Sequence, residues 1–380
     1  MTKARASVIV NSYEYGRYLR EAIDSALAQR DADAEVVVVD DGSTDDSRSI
    51  IHSYGNAVVP VLKENGGQGS AFNAGFAACA GDVIIFLDAD DRLRPNAVRE
   101  AVARLARGNA AKAHWPLALI DTAGRPTPGL IPEDPLPAGD LRLAQAAGGP
   151  FSQVGPPTSG NAWSRSFLEQ VLPMPEAQYR LLADCYLLDL APLFGDVELI
   201  DAPLSDYRVH GDNRFWHSFD AQLWRHTELP RRHVPLLERF CRDLEIEVDP
   251  TRWRPNPWWE SLRMAVEAIS RELPPNAPFV LIDDGLWGMD ATSGRQALPF
   301  PATEGEYAGP PPDDPGAVRE LQRVLADGVR SVVVAWPSFW WLEVYPRLFE
   351  YLRANLEMAV DDERLKIFTT STAVDGRDAG

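Results

Sequence analysis

Two clusters of acidic residues directly follow apolar runs, and they are the residues of this chain best suited to chemistry. Asp40-Asp41 ends a run of four valines, and Asp88-Ala89-Asp90 ends a run of five apolar residues. Crowded carboxylates repel one another unless a cation or hydrogen-bond donors compensate their charge. Mg²⁺ and Mn²⁺ prefer such oxygen ligands and often bridge a protein to a diphosphate. The two clusters therefore predict one site for a hard divalent metal holding a phosphorylated ligand.

Each acidic cluster also has alternative explanations. The stretch around Asp41 could form an Asx-type turn between a strand and a helix. The second cluster could cap a helix that begins near Pro95. Asp88 could also be the nucleophile of a phosphohydrolase that forms an aspartyl intermediate.

A glycine-rich stretch, Asn65–Ser70, precedes a predicted helix. Its flexibility would allow backbone amides to lie against a ligand at a helix N-terminus, where negative charge is favoured. The stretch is not a P-loop, because no Gly-Lys-Ser/Thr follows, and it lacks the third glycine of a dinucleotide fingerprint.

Two further polar residues could act in the same site. Asp184 is a lone acid in an apolar stretch of helical type, so it is either a partnered structural carboxylate or a general base whose pKa its surroundings raise. His210 could ligate a metal, contact a phosphate or serve a structural purpose. The sequence by itself leaves both choices open.

The elements that must position these residues alternate between strand and helix over residues 1–215. The predicted strands are Ser7–Asn11, Glu35–Val39, Val58–Leu62 and Asp82–Leu87, and the predicted helices are Tyr18–Gln29, one from Ser47, Ser70–Ala80 and Pro95–Arg107. Repeated βαβ units predict a doubly wound, mostly parallel α/β sheet. Such sheets bind ligands beyond the carboxyl ends of their strands, where both acidic clusters would lie.

The rest of the chain divides into two parts. Residues 216–275 predict a helical linker whose tryptophans pack on the first domain, or else form an aromatic platform for an acceptor. The tryptophans concerned are Trp216, Trp224, Trp253, Trp258 and Trp259. Residues 276–380 predict a smaller α/β accessory domain, which could serve packing and homo-oligomer formation or dock an acceptor or partner.

Composition excludes some classes of function. The 380 residues carry a net charge of −19, which disfavours binding to nucleic acid or anionic lipid. Three distant cysteines suit neither a disulfide framework nor a zinc site. We find no signal-peptide core and no apolar stretch of about 20 residues that could cross a membrane. These features predict a cytoplasmic protein.

Several ordered motifs together resemble glycosyltransferase family 2, which has the GT-A fold, over residues 1 to about 215. The stretches that carry the resemblance are Ser7–Tyr13, Tyr18–Gln29, Val36–Asp46, Asn65–Gly75, Asp82–Asp91 and Tyr207–Asn213. No single stretch would suffice, but their order and spacing are specific. The C-terminal third lies outside the resemblance, although its Trp-rich stretch at 334–341 is similar to tails of some bacterial glycan-synthesis proteins.

The resemblance implies a role for each candidate residue. Asp41 would recognise the nucleotide base, with Asn11 lining the same pocket. Asp88 and Asp90 would form the DXD motif, in which Asp88 contacts the nucleotide and Asp90 binds the metal. The remaining implied assignments are Asp184 as catalytic base, His210 at the metal and diphosphate, Lys63 at a phosphate, and Ser159, Gly160 and Asn161 on the acceptor side.

The implied function is metal-dependent, inverting transfer of a sugar in bacterial-type polysaccharide biosynthesis. The cofactor would be Mn²⁺ or Mg²⁺, the donor a nucleoside-diphosphate sugar, and the acceptor a glycan, a lipid-linked molecule or a small molecule. A peripheral position at the inner face of the membrane is the alternative to a purely cytoplasmic location. The alternatives are the phosphohydrolase and a catalytically silent sugar-nucleotide binding module.

Two positions depart from the family pattern. Phe72 stands where the family usually has a basic residue, so Lys63 or Arg92 would have to supply a missing phosphate contact. Ala183 precedes Asp184 where a second acid is common.

Overall fold

A computed structural model describes residues 5–106, 108–211, 219–253, 257–287 and 295–370. The chain forms two compact units. The first consists of Met1–Asn213 and Pro230–Arg254, and the second of Arg214–Leu229 and Pro255–Gly380. The predicted boundary near residue 215 lies outside the described residues.

The first unit contains the strands and helices that carry the acidic clusters. Within the described residues its strands are β1 Ala6–Ser12, β2 Ala34–Asp41, β3 Val59–Lys63, β4 Val83–Asp88, β5 Arg92–Leu93, β6 Ala110–His114, β7 Leu117–Ile120, β8 Pro126–Ile131, β9 Asn161–Ser164, β10 Asp196–Leu199 and β11 Ser205–Arg208. Its helices are α1 Gly16–Leu27, α2 Ser47–Ser53, α3 Gln68–Ala78, α4 Ala97–Leu105, α5 Arg142–Gly148, α6 Arg165–Val171 and α7 Ala183–Phe194.

The central sheet of this unit has the strand order β10-β6-β9-β4-β1-β2-β3. Strands β1 to β4 run parallel, and β9 is antiparallel to both of its neighbours. Helices on both faces bury the apolar runs of the central strands β1, β2 and β4, which is why these runs are continuous in the sequence. The predicted doubly wound, mostly parallel sheet is confirmed.

Each face of the sheet has its own hydrophobic core. Val36 and Val38 of β2 point into a core with helices α1, α2 and α4, whereas Val37 and Val39 point into a core with α3, α6 and α7. Because side chains alternate between the two faces along a strand, the position at which a strand ends decides toward which face its terminal carboxylate points. A second sheet, with the order β5-β11-β7-β8, lies beyond β4 in the chain.

The predicted helical linker is divided between the two units. It contains the helices α8 Phe219–Asp243 and α9 Pro257–Glu272, and the division within α8 falls at Pro230, which cannot donate a helical hydrogen bond. Trp253 is buried in the first unit, whereas Trp258 and Trp259 pack on the core of the second. Trp216 and the side chain of Trp224 lie outside the described residues.

The second unit is a smaller α/β structure, as the sequence predicts. Its further elements among the described residues are β12 Phe279–Ile282, β13 Ala297–Pro299, β14 Ala302–Thr303, β15 Glu306–Tyr307, α10 Asp314–Ala326, β16 Ser331–Ala335, α11 Trp341–Val344, α12 Pro346–Asn355, β17 Glu357–Asp361 and β18 Leu365–Thr369. The sheet order is β13-β12-β16-β18-β17, with the core on both faces.

Candidate active site

The carboxyl ends of β1, β2 and β4 bring three predicted site residues to one edge of the central sheet. Asn11 pairs directly with Asp88 across β1 and β4. The face of the sheet that packs against α3 and α7 also carries the side chains of Asn11, Asp41 and Asp88. Side chains alternate along a strand, and each of the three lies an even number of residues beyond a core side chain on that face. The Oδ1 of Asn11 is buried, and no group in the described part of the chain bonds to it.

The turn after β4 is fixed by hydrogen bonds to its backbone and side chains. The N–H of Asp88 donates to Ser159 Oγ at 3.2 Å, and the N–H of Asp91 donates to the carbonyl of Asp88 at 3.1 Å. Asp91 Oδ1 in turn accepts the N–H of Arg208 at 3.0 Å. Asp91 therefore ties this turn to β11 and does not cap α4, whose N-cap residue is Asn96.

Asp90 is paired with His210. His210 Nε2 lies 3.0 Å from Asp90 Oδ2, and the Nε of Arg208 donates to the Asp90 carbonyl at 2.7 Å. The His210 ring is nearly buried, with its centroid 5.7 Å from the Tyr15 ring and 5.3 Å from the Tyr18 ring. The structure thus brings together the two residues that we predict as metal ligands.

The electrostatics of this edge suit a bound cation. Burial, followed by the charges of Asp90 and Asp184, raises the pKa of the Asp88 carboxyl well above its usual range. Burial and the charges of Asp90 and Asp88 likewise raise the pKa of Asp91, whose Oδ2 is buried with no partner among the described residues. Within those residues no three acidic, His or Cys side chains form a preassembled metal site. A divalent cation would fit only if a ligand completed its coordination.

Asp184 reaches this edge from the first turn of α7. The helix begins at Ala183 because Leu182 adopts a left-handed conformation (φ 57°), so the predicted helical stretch from Tyr179 onward is only partly helical. Gln68 Oε1 accepts the N–H of Ala183 at 2.9 Å and so fixes the start of the helix. Burial raises the pKa of Asp184, whose charge acts on Asp88. The fold therefore brings the predicted base close to Asp88 of the second acidic cluster.

The carboxylates at the end of β2 are both engaged by protein groups. Asp40 is fully buried and accepts hydrogen bonds from Arg48 Nε at 2.7 Å and Ser43 N–H at 3.2 Å, which forms the predicted turn. Asp41 Oδ1 accepts from Lys63 Nζ at 2.7 Å and Gly66 N–H at 2.9 Å. A nucleotide contact by Asp41 or Lys63 would have to replace one of these bonds.

The glycine-rich loop is tied to the protein by four consecutive backbone amides. The N–H groups of Gly66 and Gly67 donate to Asp41, and those of Gln68 and Gly69 donate to the carbonyls of Arg180 and Tyr179. This differs from the predicted arrangement, in which these amides would lie against a ligand. Gly67 has φ +88°, and a Cβ there would lie 2.6 Å from the Arg180 backbone, so the close approach requires glycine.

A model of glycosyl transferase family 2 matches residues 7–140 of this chain. An uncharacterized glycosyltransferase of Nostoc sp. is 37% identical over 253 residues, which is 64% of this chain and 76% of the relative. The chain belongs to glycosyltransferase family 2. It is a glycosyltransferase, as the sequence predicts.

Other similarities are shorter or weaker. An uncharacterized glycosyltransferase of Rickettsia prowazekii is 43% identical over 96 residues, covering 25% of this chain and 30% of the relative. Among solved structures, S. aureus TarS in complex with UDP gives a TM-score of 0.47 at 15% identity, with 97% of each chain covered. The mannosyltransferase PcManGT of Pyrobaculum calidifontis, with GDP-Man and Mn²⁺, gives 0.46 at 18% identity over 72% of this chain and 77% of that one.

The departure from the family pattern at position 72 has a packing reason. Phe72 is fully buried and stacks on Phe86, with ring centroids 4.0 Å apart. Arg92 does not offer a ready replacement for the missing basic residue. Its guanidinium donates to Asp206 Oδ2 at 2.5 Å, Glu21 Oε1 at 2.6 Å and the Gly124 carbonyl at 3.1 Å.

The three residues predicted on the acceptor side of this glycosyltransferase are all buried. Asn161 Nδ2 donates to three backbone carbonyls at positions 156–158, and the Ser159 carbonyl accepts from Ser205 Oγ at 2.5 Å. Gly160 packs between Leu117 and Pro156. These bonds shape the segment that presents Thr158, whose side chain interacts with both Asp88 and Asp184.

Sequence reasoning missed two contributors to the site, Gln68 and Lys112. Gln68 Nε2 donates to Thr158 Oγ1 at 3.4 Å, and its oxygen caps α7 as described above. Lys112 is buried on β6, and its charge acts on Asp184. The available signal for Lys112 was a single cation within the otherwise small and apolar stretch around it.

The Asp41 contacts predict a cost in stability. Replacing Asp41 with Ala leaves Lys63 and two loop amides without their acceptor, and hydrogen bonds to charged groups contribute about 1.5–3 kcal/mol. We expect Asp41→Ala to lower the free energy of unfolding by about 2–3 kcal/mol in denaturant titrations. Asp46→Ala is the matched control, since Asp46 is exposed between β2 and α2, its side chain makes no capping hydrogen bond, and its replacement should cost less than about 0.5 kcal/mol. Equal costs for the two variants would contradict this account of the loop.

Proposed function

We propose that this glycosyltransferase moves a sugar from a nucleoside diphosphate to a hydroxyl acceptor by a single inverting displacement. The observation that carries the proposal is the placement of Asp184 in the first turn of α7 at the carboxyl edge of the sheet, where the Thr158 side chain interacts with both Asp184 and Asp88. It joins a carboxylate at a helix start to the DXD cluster although many elements separate them in sequence. A base and a diphosphate site can therefore act on the same bond.

Asp184 acts as the general base. The acceptor oxygen forms a bond to the anomeric carbon while the bond from that carbon to the diphosphate oxygen breaks, and the acceptor proton moves to Asp184. A carboxyl with a raised pKa is better matched to this task near neutral pH than an ordinary aspartate. The nucleoside diphosphate leaves with the electron pair of the broken bond.

Asp90 and His210 would hold a divalent cation, Mn²⁺ or Mg²⁺, and the diphosphate and water would complete its coordination. When bound, the cation supplies positive charge at the diphosphate oxygens. The pairing of Asp90 with His210 and the unfavourable crowding of Asp88 and Asp91 support this assignment. Asp88 and Asn11, adjacent in register, would contact the nucleotide.

The remaining predicted site residues would act through the loops that they hold in place. Asp41 and Lys63 would contribute to nucleotide binding by fixing the glycine-rich loop, and Ser159, Gly160 and Asn161 would shape the acceptor side through the segment that carries Thr158. The acceptor would be a glycan, a lipid-linked molecule or a small molecule.

A cytoplasmic location remains a prediction that the buried free thiols of Cys79 and Cys241 support. Within its described part, the chain has no helix with the length and apolarity needed to cross a membrane.

A thermal-shift screen tests donor binding directly. Full-length protein is melted with UDP, GDP or dTDP, each with and without Mn²⁺. A ligand present at 100 times its dissociation constant stabilises the folded state by about 2.7 kcal/mol. We expect one nucleotide to raise the melting temperature most, and to do so only with Mn²⁺.

Transfer assays then use sugars of the nucleotide that stabilises the protein. Appearance of the sugar on an added hydroxyl acceptor, with inverted anomeric configuration by NMR, supports the proposal. Tight binding without transfer to any acceptor would identify a silent binding module instead. No stabilisation by any nucleotide would overturn the proposed function.

A further inference from the structure

Lysine is rare in this chain. Of 37 lysine and arginine residues, four are lysines: Lys3, Lys63, Lys112 and Lys366. Arginine stays charged at any physiological pH, whereas a buried lysine can shift its pKa and change its charge. Two of the four lysines, Lys63 and Lys112, lie on the strands that build the site described above. The proposed reaction gives Lys112 no role.

The strand register places Lys112 on the catalytic face of the sheet. Lys112 of β6 pairs with Trp163 of β9, and Trp163 pairs with Ile84 of β4. Ile84 points into the same core as Phe86, so the face continues along β4 to Asp88. The Lys112 side chain is only 4% exposed, and its Nζ lies 5.4 Å from the centroid of the Trp163 ring. Helix α7 packs against β6 and brings Asp184 to this side.

The titratable groups around Lys112 come from two elements. Helix α7 contributes Asp184, and β6 itself contributes His114, while β9 and β10 present the uncharged partners Trp163 and Val197. Burial lowers the pKa of Lys112 to about 7, against the opposing effect of Asp184. Burial also lowers the pKa of His114, so this ring stays neutral and adds no charge.

The interaction with Asp184 is reciprocal. Burial favours the protonated form of Asp184, whereas the hydrogen bond from Thr158 and the Lys112 charge favour its carboxylate. A general base must be a carboxylate before it can accept a proton. A cation that keeps the base ionised, but does not touch the substrate, would set the lower pH limit of the reaction.

Building on the proposed function, we propose that Lys112 is a positioning residue for sugar transfer, which holds Asp184 in its reactive carboxylate form. The ammonium acts from β6, the strand against which α7 packs. A methionine at this position would keep most of the side-chain volume and remove the charge. An arginine would restore the charge.

A titration of the lysine side chains tests the coupling without any substrate. The full chain is labelled with ¹³C-lysine, and the four Cε signals are followed against pH, with Lys112 assigned from Lys112→Met. We expect the Lys112 midpoint to fall by about one pH unit in Asp184→Asn, because the carboxylate that favours the ammonium is lost. Asp201→Asn is the control, since Asp201 is exposed at the surface of the same unit. Equal midpoints in the two variants would overturn the inference.

The pH profile of transfer tests the consequence for catalysis. In Lys112→Met the acid limb of kcat/KM should move to higher pH by about one unit, because the pKa of Asp184 rises when the neighbouring cation is removed. Lys112→Arg should return the limb toward its original position. A purely structural lysine would lower kcat/KM at every pH without moving the limb, and that result would also overturn the inference.

The two tests distinguish a failure of the proposed function from a failure of the inference about Lys112. Coupled titration of Lys112 and Asp184 without transfer from any donor would mean that the proposed function is wrong, while the charge pair stands. Transfer with an unmoved acid limb would mean that the proposed function stands and Lys112 has no positioning role.

Discussion

Asp184→Asn is expected to lower kcat for sugar transfer by about 10²–10⁴-fold, the range that general acid–base catalysis supplies. Asparagine keeps the size of the side chain and its contact with the first turn of α7, but it cannot accept the acceptor proton. Donor binding should persist, because Asp184 takes the proton of the acceptor and is not assigned to the nucleotide. The measurement is steady-state transfer at saturating donor, with nucleotide affinity from calorimetry on the same protein.

Asp201→Asn provides the matched control, since it makes the same chemical change on an exposed residue of the first unit. It should transfer at the wild-type rate. A decrease of less than about tenfold in Asp184→Asn would remove this residue as the base. The pH profile adds a second check. Burial raises the pKa of Asp184, so the wild-type rate should begin to fall, as the pH is lowered, at a higher pH than an ordinary aspartate would give.

Asp90→Asn should have the second-largest effect. The substitution removes a negative charge from the predicted metal site while keeping the side-chain size, and losing one such electrostatic contribution typically reduces kcat by about 10²–10³-fold. We expect the Mn²⁺-dependent part of nucleotide binding to disappear as well. Thermal shifts with nucleotide alone and with nucleotide plus Mn²⁺ separate the two components.

Asp82, which lies just before β4, provides a control for Asp90→Asn. Asp82 is exposed beside the start of β4, opposite the end that carries Asp88, and its Oδ2 accepts only the N–H of Arg5 among the described residues. Asp82→Asn should therefore leave transfer and metal dependence unchanged. If Asp90→Asn retains a full response to Mn²⁺, the metal assignment to Asp90 and His210 is contradicted.

The local sequence was sufficient for the main elements of the first unit. The valine run before Asp40 and the apolar run before Asp88 predict buried parallel strands, and the structure has them as β2 and β4 with ends shifted by one or two residues. Strand periodicity is a local property, so these elements could be read directly. The start of α7 could not, because it depends on the left-handed Leu182 and on a hydrogen bond from Ala183 to the distant Gln68.

The candidate site shows the same limit. The sequence by itself determined that two carboxylate clusters end two parallel strands, and parallel strands place their carboxyl ends at one edge of a sheet. Family membership also follows from the order of the motifs. Neither observation depends on which distant side chains meet.

Only the tertiary structure decided what those carboxylates contact. Asp41 holds the glycine-rich loop, and four loop amides are already paired with protein acceptors. Asp184 interacts electrostatically with both Asp88 and Lys112 because α7 covers the face of the sheet that β4 and β6 share, although these elements are far apart in the chain. Hydrogen bonds and charge pairs between distant segments leave no periodic signal in the sequence. They exist only once the sheet register and the helix packing bring the groups together.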